Sequence, residues 1–158
     1  MRNALVGLKY RRDATLGIAF AGKLAALIER EGWQVDGIVP IPLARQRTLE
    51  RGYNQVEVFS AALAHYLGCR QGNGWLRRVR ETRSQVGLDV GARKENMQSA
   101  FVAAGHMVAG KSLVLMDDVM TTGATLDSAA QALKRAGASK VYGLTIARAM
   151  STKSDDLI

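Results

Sequence analysis

The sequence has few of the residues that cross-link or anchor a protein. Of its 158 residues only Cys69 is a cysteine, which excludes an internal disulfide framework and a Cys-rich zinc site. No apolar run approaches the roughly 20 residues that a membrane span requires. The segment Met1–Lys9 lacks the long apolar core and the small-residue cleavage site of a signal peptide. We therefore expect a cytoplasmic protein with no membrane span and no zinc.

Acidic residues are scarce beside the basic ones. The chain carries 22 lysines and arginines against 14 aspartates and glutamates, a net charge of +8, while its 47% hydrophobic content is ordinary for one globular domain. The arginines cluster in two stretches, at positions 45, 47 and 51 and at positions 70, 77, 78, 80, 83 and 93. Two interpretations stay open: a solvated basic surface, or a polyanionic partner such as a pyrophosphate-bearing small molecule or nucleic acid.

The hydrophobic pattern and its turn residues predict alternating helices and strands. In chain order they are a helix between Asp13 and Gly32, a strand at 37–42, a helix between Asn54 and Gly68, a strand at 75–80, a strand at 112–116, a helix at 125–136 and a strand at 141–147. This order predicts one α/β domain over residues 1–150, an open, mostly parallel sheet with helices on both faces. The pattern also predicts a long exposed loop at 82–94 and a frayed polar tail at 151–158.

The most informative stretch begins at Leu113, where a short apolar strand ends in Asp117 and Asp118. Paired carboxylates accept hydrogen bonds from vicinal ribose hydroxyls or reach Mg²⁺, and the carboxyl ends of parallel strands are where open α/β sheets bind ligands. A Thr/Gly-rich turn then leads into a helix, whose first N–H groups suit a phosphate. The residues predicted to hold that phosphate are Thr121, Thr122, Gly123, Ala124 and Thr125. The pattern predicts a sugar-phosphate site, and it is neither a Walker A loop nor a dinucleotide fingerprint.

The stretch Val114-Leu-Met-Asp-Asp-Val-Met-Thr-Thr-Gly-Ala-Thr125 resembles the phosphoribosyl-pyrophosphate (PRPP) signature of type I phosphoribosyltransferases. Further stretches are similar to the ComF-like branch of that family: Val39-Pro-Ile-Pro-Leu43, Arg51-Gly-Tyr-Asn-Gln55, Thr82-Arg-Ser-Gln-Val-Gly-Leu88 and Arg93-Lys-Glu-Asn96. They follow in the expected order and extend the resemblance over about residues 7–150. The resemblance implies the type I phosphoribosyltransferase fold, with a Rossmann-like core and a flexible loop or hairpin.

The resemblance also implies a role for each matching residue. Asp117 and Asp118 would contact the ribose hydroxyls of PRPP and hold Mg²⁺ through those hydroxyls or through water, while the turn at 121–125 would cradle the 5′-phosphate. The loop residues that would face the pyrophosphate are Ala44, Arg45 and Gln46, and the cations of a closing loop at 82–94 would be Arg83, Arg93 and Lys94. Asp117, Asp118, Arg83 and Lys94 are the candidate catalytic residues. The implied reaction displaces pyrophosphate at C1 of ribose, with Mg²⁺ and arginines stabilising the leaving group and loop closure excluding water.

The acceptor of the phosphoribosyl group stays open, because no segment outside the core forms an obvious nucleobase pocket. ComF-like proteins often carry an N-terminal Cys-rich segment that this sequence lacks, so either the chain is a shorter member or upstream residues are missing. Because the family is tied to DNA uptake, three hypotheses follow: a Mg²⁺-dependent phosphoribosyltransferase, a single-stranded-DNA-binding component of that uptake, and a PRPP-sensing regulator without turnover. The DNA hypothesis assigns binding to Arg77, Arg78 and Arg80. An open sheet edge would also permit a homodimer.

Overall fold

The computed structural model describes residues 14–44, 48–50, 52–79 and 100–148. Its helices and strands are α1 (Ala14–Arg30), β1 (Gly37–Pro40), α2 (Gln55–Leu67), β2 (Arg70–Gln71), β3 (Leu76–Arg78), β4 (Phe101–Ala103), α3 (Gly105–Val108), β5 (Ser112–Met120), α4 (Ala124–Arg135) and β6 (Lys140–Arg148). Residues 48–50 are also helical. None of the helices within these ranges is both long enough and apolar enough to cross a membrane. The predicted loop at 82–94 and tail at 151–158 lie outside the described residues and stay predictions.

Four parallel strands form the central sheet, in the order β2-β1-β5-β6. β1 pairs with β5 from Gly37↔Leu113 to Pro40↔Met116, and β5 pairs with β6 from Ser112↔Lys140 to Met120↔Arg148. β3 and β4 pair with each other in the antiparallel direction and form a separate two-stranded ribbon, here called the β3–β4 ribbon. The predicted open, mostly parallel sheet is confirmed.

Apolar side chains of β1 and β5 point to both faces of the sheet, because successive residues of a strand alternate in direction. Ile38 and Val114 pack with residues of α1 and α2 on one face. Val39 and Leu115 pack with residues of α4 and of the β3–β4 ribbon on the other. All four side chains are fully buried, and burial of each contributes about 1.5–3 kcal/mol. The prediction that helices cover both faces is therefore confirmed.

The helices end where the sequence predicts. The Asn54 side chain accepts the Val56 N–H at 3.2 Å and so caps α2. Gly68 ends that helix in the left-handed conformation, with φ of 65°. Gly32 and Gly137, which follow α1 and α4, also have positive φ. The backbone leaves the helical conformation at these positions. Glycine suits them because a residue with a Cβ adopts a positive φ only at a cost.

The four predicted strands have other bounds in the structure. β3 is Leu76–Arg78 rather than 75–80, and β6 is Lys140–Arg148 rather than 141–147. β5 continues to Met120 rather than ending at Met116, because β6 is nine residues long and pairs with it to the end. The acidic pair therefore lies within β5 and not after it. β1 ends at Pro40 rather than at Pro42. β2, β4 and α3 were not predicted, since elements of two to four residues are too short to show a hydrophobic period.

Trp75 fixes the β3–β4 ribbon to the sheet. Its side chain is buried, and its ring packs closely over Gly37 of β1 and over Gly72. A Cβ added at Gly37 would lie 2.9 Å from the ring, and one added at Gly72 would lie 2.7 Å from it. Glycine is therefore required at both positions for this approach, which places the ribbon on the same face of the sheet as α4.

Candidate functional site

The carboxyl end of β1 lies beside the acidic residues of β5. Pro40 pairs with Met116, the residue before Asp117, and the Ile41 N–H donates to the Met116 carbonyl at 2.9 Å. β1 then ends and the chain leaves the sheet, so β5 continues past Met116 with β6 as its neighbour. This edge, at the carboxyl ends of parallel strands, is where open α/β sheets bind ligands.

Asp117 and Asp118 are both half-buried, and a backbone N–H restrains each carboxylate. The Asp118 N–H donates to Asp117 Oδ1 at 2.9 Å, and the Val119 N–H donates to Asp118 Oδ1 at 2.7 Å. These hydrogen bonds restrict the rotation of both side chains before any ligand arrives. The structure thus positions the two residues that the sequence predicts as the centre of the site.

The surroundings of Asp117 disfavour its charged form. Burial raises the pKa of Asp117 from its ordinary value of 3.8 to about 6, and the neighbouring Asp118 carboxylate raises it in the same direction. The Asp118 N–H and the charge of Arg78 act against burial and lower that pKa. A bound cation or bound hydroxyl donors would favour the carboxylate, so Asp117 is suited to a ligand that supplies them.

The turn after β5 combines hydroxyl groups with the start of α4. Gly123 is the N-cap of this helix, with φ of 82° and ψ of −5°, and as a glycine it makes no side-chain cap hydrogen bond. Thr122 Oγ1 accepts the Ala124 N–H at 3.4 Å. Thr121 and Thr122 are exposed and residues 123–125 are half-buried. Because the first amides of a helix lack intrahelical acceptors and carry the positive end of its dipole, this turn suits an anionic oxygen.

The loop after β1 is tied to the start of α2. Asn54, which is 7% exposed, donates from Nδ2 to the Ile41 carbonyl at 3.0 Å. Ala44 is half-buried, and its carbonyl accepts the Thr48 N–H at 3.0 Å. Ala44 therefore lies in the loop that follows β1, and the end of β1 borders the acidic pair. The sequence predicts Ala44 in this loop. The predicted site residues outside the described part of the chain are Arg45, Gln46, Arg83, Arg93 and Lys94.

The charge of Arg78 of β3 acts on Asp117, although the sequence pattern groups Arg78 with a DNA-binding surface. Its guanidinium carbon lies 4.8 Å from the centroid of the Phe101 ring, and its charge lowers the pKa of Asp117. The signal that could have found it is the alternation in β3. Leu76 is buried, Arg77 is exposed and Arg78 is half-buried, so Leu76 and Arg78 share the inward face of the ribbon.

The acidic pair by itself is not a complete metal site. Among the residues that the structure describes, no three histidine, cysteine, aspartate or glutamate side chains are grouped to hold an ion. Proteins usually bind Mg²⁺ through one or two carboxylates, with water and substrate phosphates filling the other positions. The donor set of Asp117 and Asp118 fits a Mg²⁺ ion of that kind, held jointly with an oxygen-rich ligand.

Comparison with protein families gives one match that covers most of the chain. Residues 14–158 match the phosphoribosyl transferase domain family. The matched range includes all ten described elements as well as the acidic pair and the turn at 121–125. This match agrees with the resemblance found in the sequence signature.

Three curated relatives carry names tied to DNA use or competence. The chain is 37% identical over 148 residues to the DNA utilization protein YhgH of Salmonella typhimurium, covering 90% of this chain and 65% of that protein. It is 34% identical over 116 residues to competence protein F of Haemophilus influenzae, covering 72% and 51%. Over 153 residues it is 28% identical to competence protein ComFC of Bacillus subtilis, covering 94% and 60%. The chain thus spans between 51% and 65% of the length of these relatives.

Solved structures share the fold at low sequence identity. Glutamine PRPP amidotransferase from Bacillus subtilis, complexed with ADP and GMP, gives a TM-score of 0.55 at 19% identity over 84% of this chain and 25% of that chain. Adenine phosphoribosyltransferase from Thermoanaerobacter pseudethanolicus gives 0.52 at 16% identity over 87% of this chain and 83% of that chain. The predicted type I phosphoribosyltransferase-like fold is confirmed, and at this identity the likeness concerns the fold alone.

Proposed function

Since the chain belongs to the phosphoribosyl transferase domain family, and within it to the ComF-like branch, we propose that it binds PRPP together with Mg²⁺ at the carboxyl end of β5. Asp117 and Asp118 accept hydrogen bonds from the ribose hydroxyls and hold Mg²⁺ jointly with the ligand. Residues 121–125 hold the 5′-phosphate, and the loop at 41–46 faces the pyrophosphate. The phosphoribosyl group is transferred to a nucleophile that is not identified.

The observation that supports this function most is that an acidic pair lies close in the chain to a helix start whose N-cap residue is a glycine. Asp118 and Gly123 are separated by four residues, and both lie where β5 passes into α4. Carboxylates accept from hydroxyls and repel phosphate, whereas helix amides attract phosphate. Either feature alone fits many ligands. Together they select a ligand with vicinal hydroxyls at one position and a phosphate a short distance away.

The residues of the chain would stabilise charge rather than form bonds to the sugar. Positive charge develops on the ribose ring as pyrophosphate is displaced. A carboxylate at Asp117 next to the ring would stabilise that charge. Mg²⁺, when bound, neutralises negative charge on the pyrophosphate. The N–H groups of Asp118 and Val119 already hold the two carboxylates in place. Their restraint reduces the reorganisation that the reaction requires.

The test is calorimetric titration with PRPP, with and without Mg²⁺, of the wild type and of the double variant Asp117→Asn, Asp118→Asn. Asparagine keeps an Oδ1 that accepts the same backbone N–H groups, so the fold is expected to survive. Loss of two charge-assisted interactions should weaken binding by about 100-fold or more. Glu29→Gln, an exposed change on α1, is the matched control and should bind as the wild type does. Unchanged affinity of the double variant for PRPP would contradict the assignment of the site to Asp117 and Asp118.

Release of pyrophosphate distinguishes an enzyme from a sensor. A phosphoribosyltransferase that is incubated with PRPP, Mg²⁺ and candidate nucleophiles releases pyrophosphate in proportion to product. A PRPP-sensing regulator binds the same ligand with no release. Screening purine and pyrimidine bases first is the economical choice, because members of this fold that have solved structures include an adenine phosphoribosyltransferase.

Binding of single-stranded DNA is a second candidate function, favoured by the outer face of the β3–β4 ribbon. Arg77 and Val102 are paired across the two strands, and both are exposed. Val79 next to them is 52% exposed. A cation beside exposed apolar groups, on a chain of net charge +8, suits a nucleic-acid strand. The names of the relatives, DNA utilization and competence proteins, point in the same direction.

Salt dependence tests the DNA function separately from the PRPP site. Affinity for a single-stranded oligonucleotide should fall steeply as salt rises, because bound cations are released from the strand when protein arginines replace them. The variant Arg77→Ala with Arg80→Ala should bind more weakly and show a shallower salt slope. A flat salt response in the wild type would reject this function and leave PRPP binding unaffected.

A further inference from the structure

We infer that Thr145 of β6 is a binding residue of the proposed PRPP site, and that its hydroxyl donates a hydrogen bond to the ribose 5-phosphate part of the ligand. The inference rests on the proposed function. It adds a residue from a second strand to the site, because Thr145 lies outside the signature at 114–125. In the sequence Thr145 is one β-branched residue of an ordinary strand, and only the register of the sheet places it beside the acidic pair.

Thr145 is the neighbour of Asp117 across the sheet. The two residues are paired in the parallel register of β5 and β6, and adjacent strands lie about 4.8 Å apart. Both residues are half-buried. Since β1 ends at Pro40, β6 is the neighbouring strand that remains at this level of the described sheet. Thr145 is therefore the residue next to Asp117 on the side of β6.

Thr145 and Asp117 belong to the face of the sheet that α4 covers. Leu115 of β5 and Val141 of β6 pack with the core that contains residues of α4. Because side chains of a strand alternate between the two faces, Asp117 shares the face of Leu115 and Thr145 shares the face of Val141. Leu144, which precedes Thr145, packs with residues of α1 and α2 on the other face. The hydroxyl and the carboxylate thus lie on one side of the sheet.

The first turn of α4 lies over β6 just before Thr145. A Cβ added at Gly143 would lie 3.8 Å from a methyl carbon of Leu126, which belongs to that first turn. Thr145 comes two residues later on the same face, about 7 Å further toward the carboxyl end of the strand. It is therefore placed beyond the start of the helix, on the side of the turn at 121–125. A ligand whose phosphate binds this turn and whose ribose hydroxyls reach Asp117 would lie over Thr145.

The Thr145 hydroxyl can serve a ligand. Thr145 is half-buried, and no residue that the structure describes forms a hydrogen bond with its side chain. A half-buried hydroxyl has lost part of its hydration, so an oxygen of a ligand that accepts its hydrogen bond restores what burial removed. The strand itself does not need the hydroxyl, because valine has the same shape and suits a strand as well.

Ser139 provides a matched control at the opposite end of β6. It is exposed and immediately precedes Lys140, the first residue of the strand. Its N–H donates to the Lys111 carbonyl at 2.8 Å, and its carbonyl accepts from Lys134 Nζ at 2.7 Å. Both contacts use the backbone, so Ser139→Ala keeps them and removes only a hydroxyl. A general effect of removing one hydroxyl at β6 would therefore appear in both variants.

The experiment titrates PRPP with Mg²⁺, and separately ribose 5-phosphate, into the wild type, Thr145→Val, Thr145→Ser and Ser139→Ala, with the Tm of each protein measured alongside. Thr145→Val should weaken the binding of PRPP by about fivefold, as expected for the loss of one hydrogen bond. Thr145→Ser keeps the hydroxyl and should bind within about twofold of the wild type. Ser139→Ala should bind as the wild type does. The Tm of Thr145→Val should not fall, because valine is a good strand residue.

The second ligand locates the hydrogen bond. Ribose 5-phosphate carries the hydroxyls and the 5′-phosphate but no pyrophosphate, so Thr145→Val should lose the same factor in affinity for it as for PRPP. A loss with PRPP alone would place the hydroxyl at the pyrophosphate and overturn the inference.

Two further outcomes separate the inference from the proposed function. A wild type that binds PRPP, with Thr145→Val binding it equally well, would overturn the inference and leave the proposed function standing. A wild type that does not bind PRPP would overturn both. Loss of affinity with a matching fall in Tm, and no recovery in Thr145→Ser, would make Thr145 structural and so contradict the inference.

Discussion

The two halves of β5 share one strand but have different neighbours. The apolar half, Leu113–Met116, lies between β1 and β6, and all four of its side chains are fully buried. The polar half, Asp117–Met120, continues beside β6 after β1 has ended at Pro40, and all four of its residues are half-buried. The place where the side chains change from apolar to acidic is the place where one neighbouring strand stops.

This difference explains how one strand can serve both stability and binding. A carboxylate in the apolar half would be enclosed on both faces and beside two strands, at a high desolvation cost. In the polar half the carboxylates keep partial access to water and accept N–H groups of their own chain. The early end of β1 therefore creates the site, since it opens the edge at which a ligand can reach Asp117.

The largest expected effect is a difference in stability between a variant of the apolar half of β5 and a variant of its polar half. Leu115→Ala removes a fully buried side chain and should lower the free energy of unfolding by about 2–5 kcal/mol. Asp118→Asn should lower it by less than about 1 kcal/mol, because the amide oxygen can still accept the Val119 N–H. Denaturant unfolding of both variants measures these values. Equal losses would contradict the division of β5 into a stabilising half and a binding half.

A smaller effect is expected at the turn that follows the polar half. Gly123→Ala should destabilise the protein by about 1–2 kcal/mol, because alanine resists the left-handed backbone. The added Cβ itself has room, since its nearest atom is Met120 Sδ at 3.6 Å. Gly105→Ala is the control: its Cβ also has room, with the nearest atom at 3.5 Å, and its backbone is not left-handed. If thermal unfolding shows the same loss of stability in both variants, the left-handed backbone at Gly123 does not require glycine.

The smallest of the three effects is a change in pH dependence, because half-burial leaves Asp117 partly screened by water. Folding raises the pKa of Asp117 from 3.8 to about 6, so the native state keeps this proton to a higher pH than the unfolded state does. The stabilising contribution of the protonated carboxyl is present below 3.8 and is lost as the pH rises through about 6. Asp117→Asn should therefore gain stability relative to the wild type as the pH rises from 4 to 8.

Unfolding free energies at several pH values decide this prediction. The wild-type and Asp117→Asn curves should converge near pH 4 and separate near pH 6. Curves that run parallel over the whole range would show that Asp117 titrates as an ordinary exposed carboxyl. Asp118→Asn is the comparison variant for Asp117→Asn, because it also removes one carboxylate from the polar half of β5 but leaves Asp117 in place.

Much of the fold could be predicted because its signals are local. The apolar face and glycine stop of α1, the Asn54 cap of α2 and the apolar run of β5 are each contained in a few consecutive residues. The acidic pair and the turn at 121–125 are local as well, since they lie within one continuous stretch. Such features need no knowledge of what packs against them.

The parts that the sequence did not reveal depend on contacts between distant residues. The end of β5 is set by the length of β6, and the openness of the site is set by the end of β1. The contact between Arg78 and the Phe101 ring depends on how β3 pairs with β4, which a count of arginines cannot show. The contact between Trp75 and its two glycines is of the same kind, because Gly37 and Trp75 are far apart in the chain.

The most direct test of the central claim is to map the amide signals of ¹⁵N-labelled protein during titration with PRPP and Mg²⁺. The account predicts that the largest shifts fall on residues 117–125 and on the loop at 41–44, with little change in the apolar half of β5. Shifts concentrated on Arg77, Val79 and Val102, with residues 117–125 unmoved, would contradict it and place the anion on the outer face of the β3–β4 ribbon.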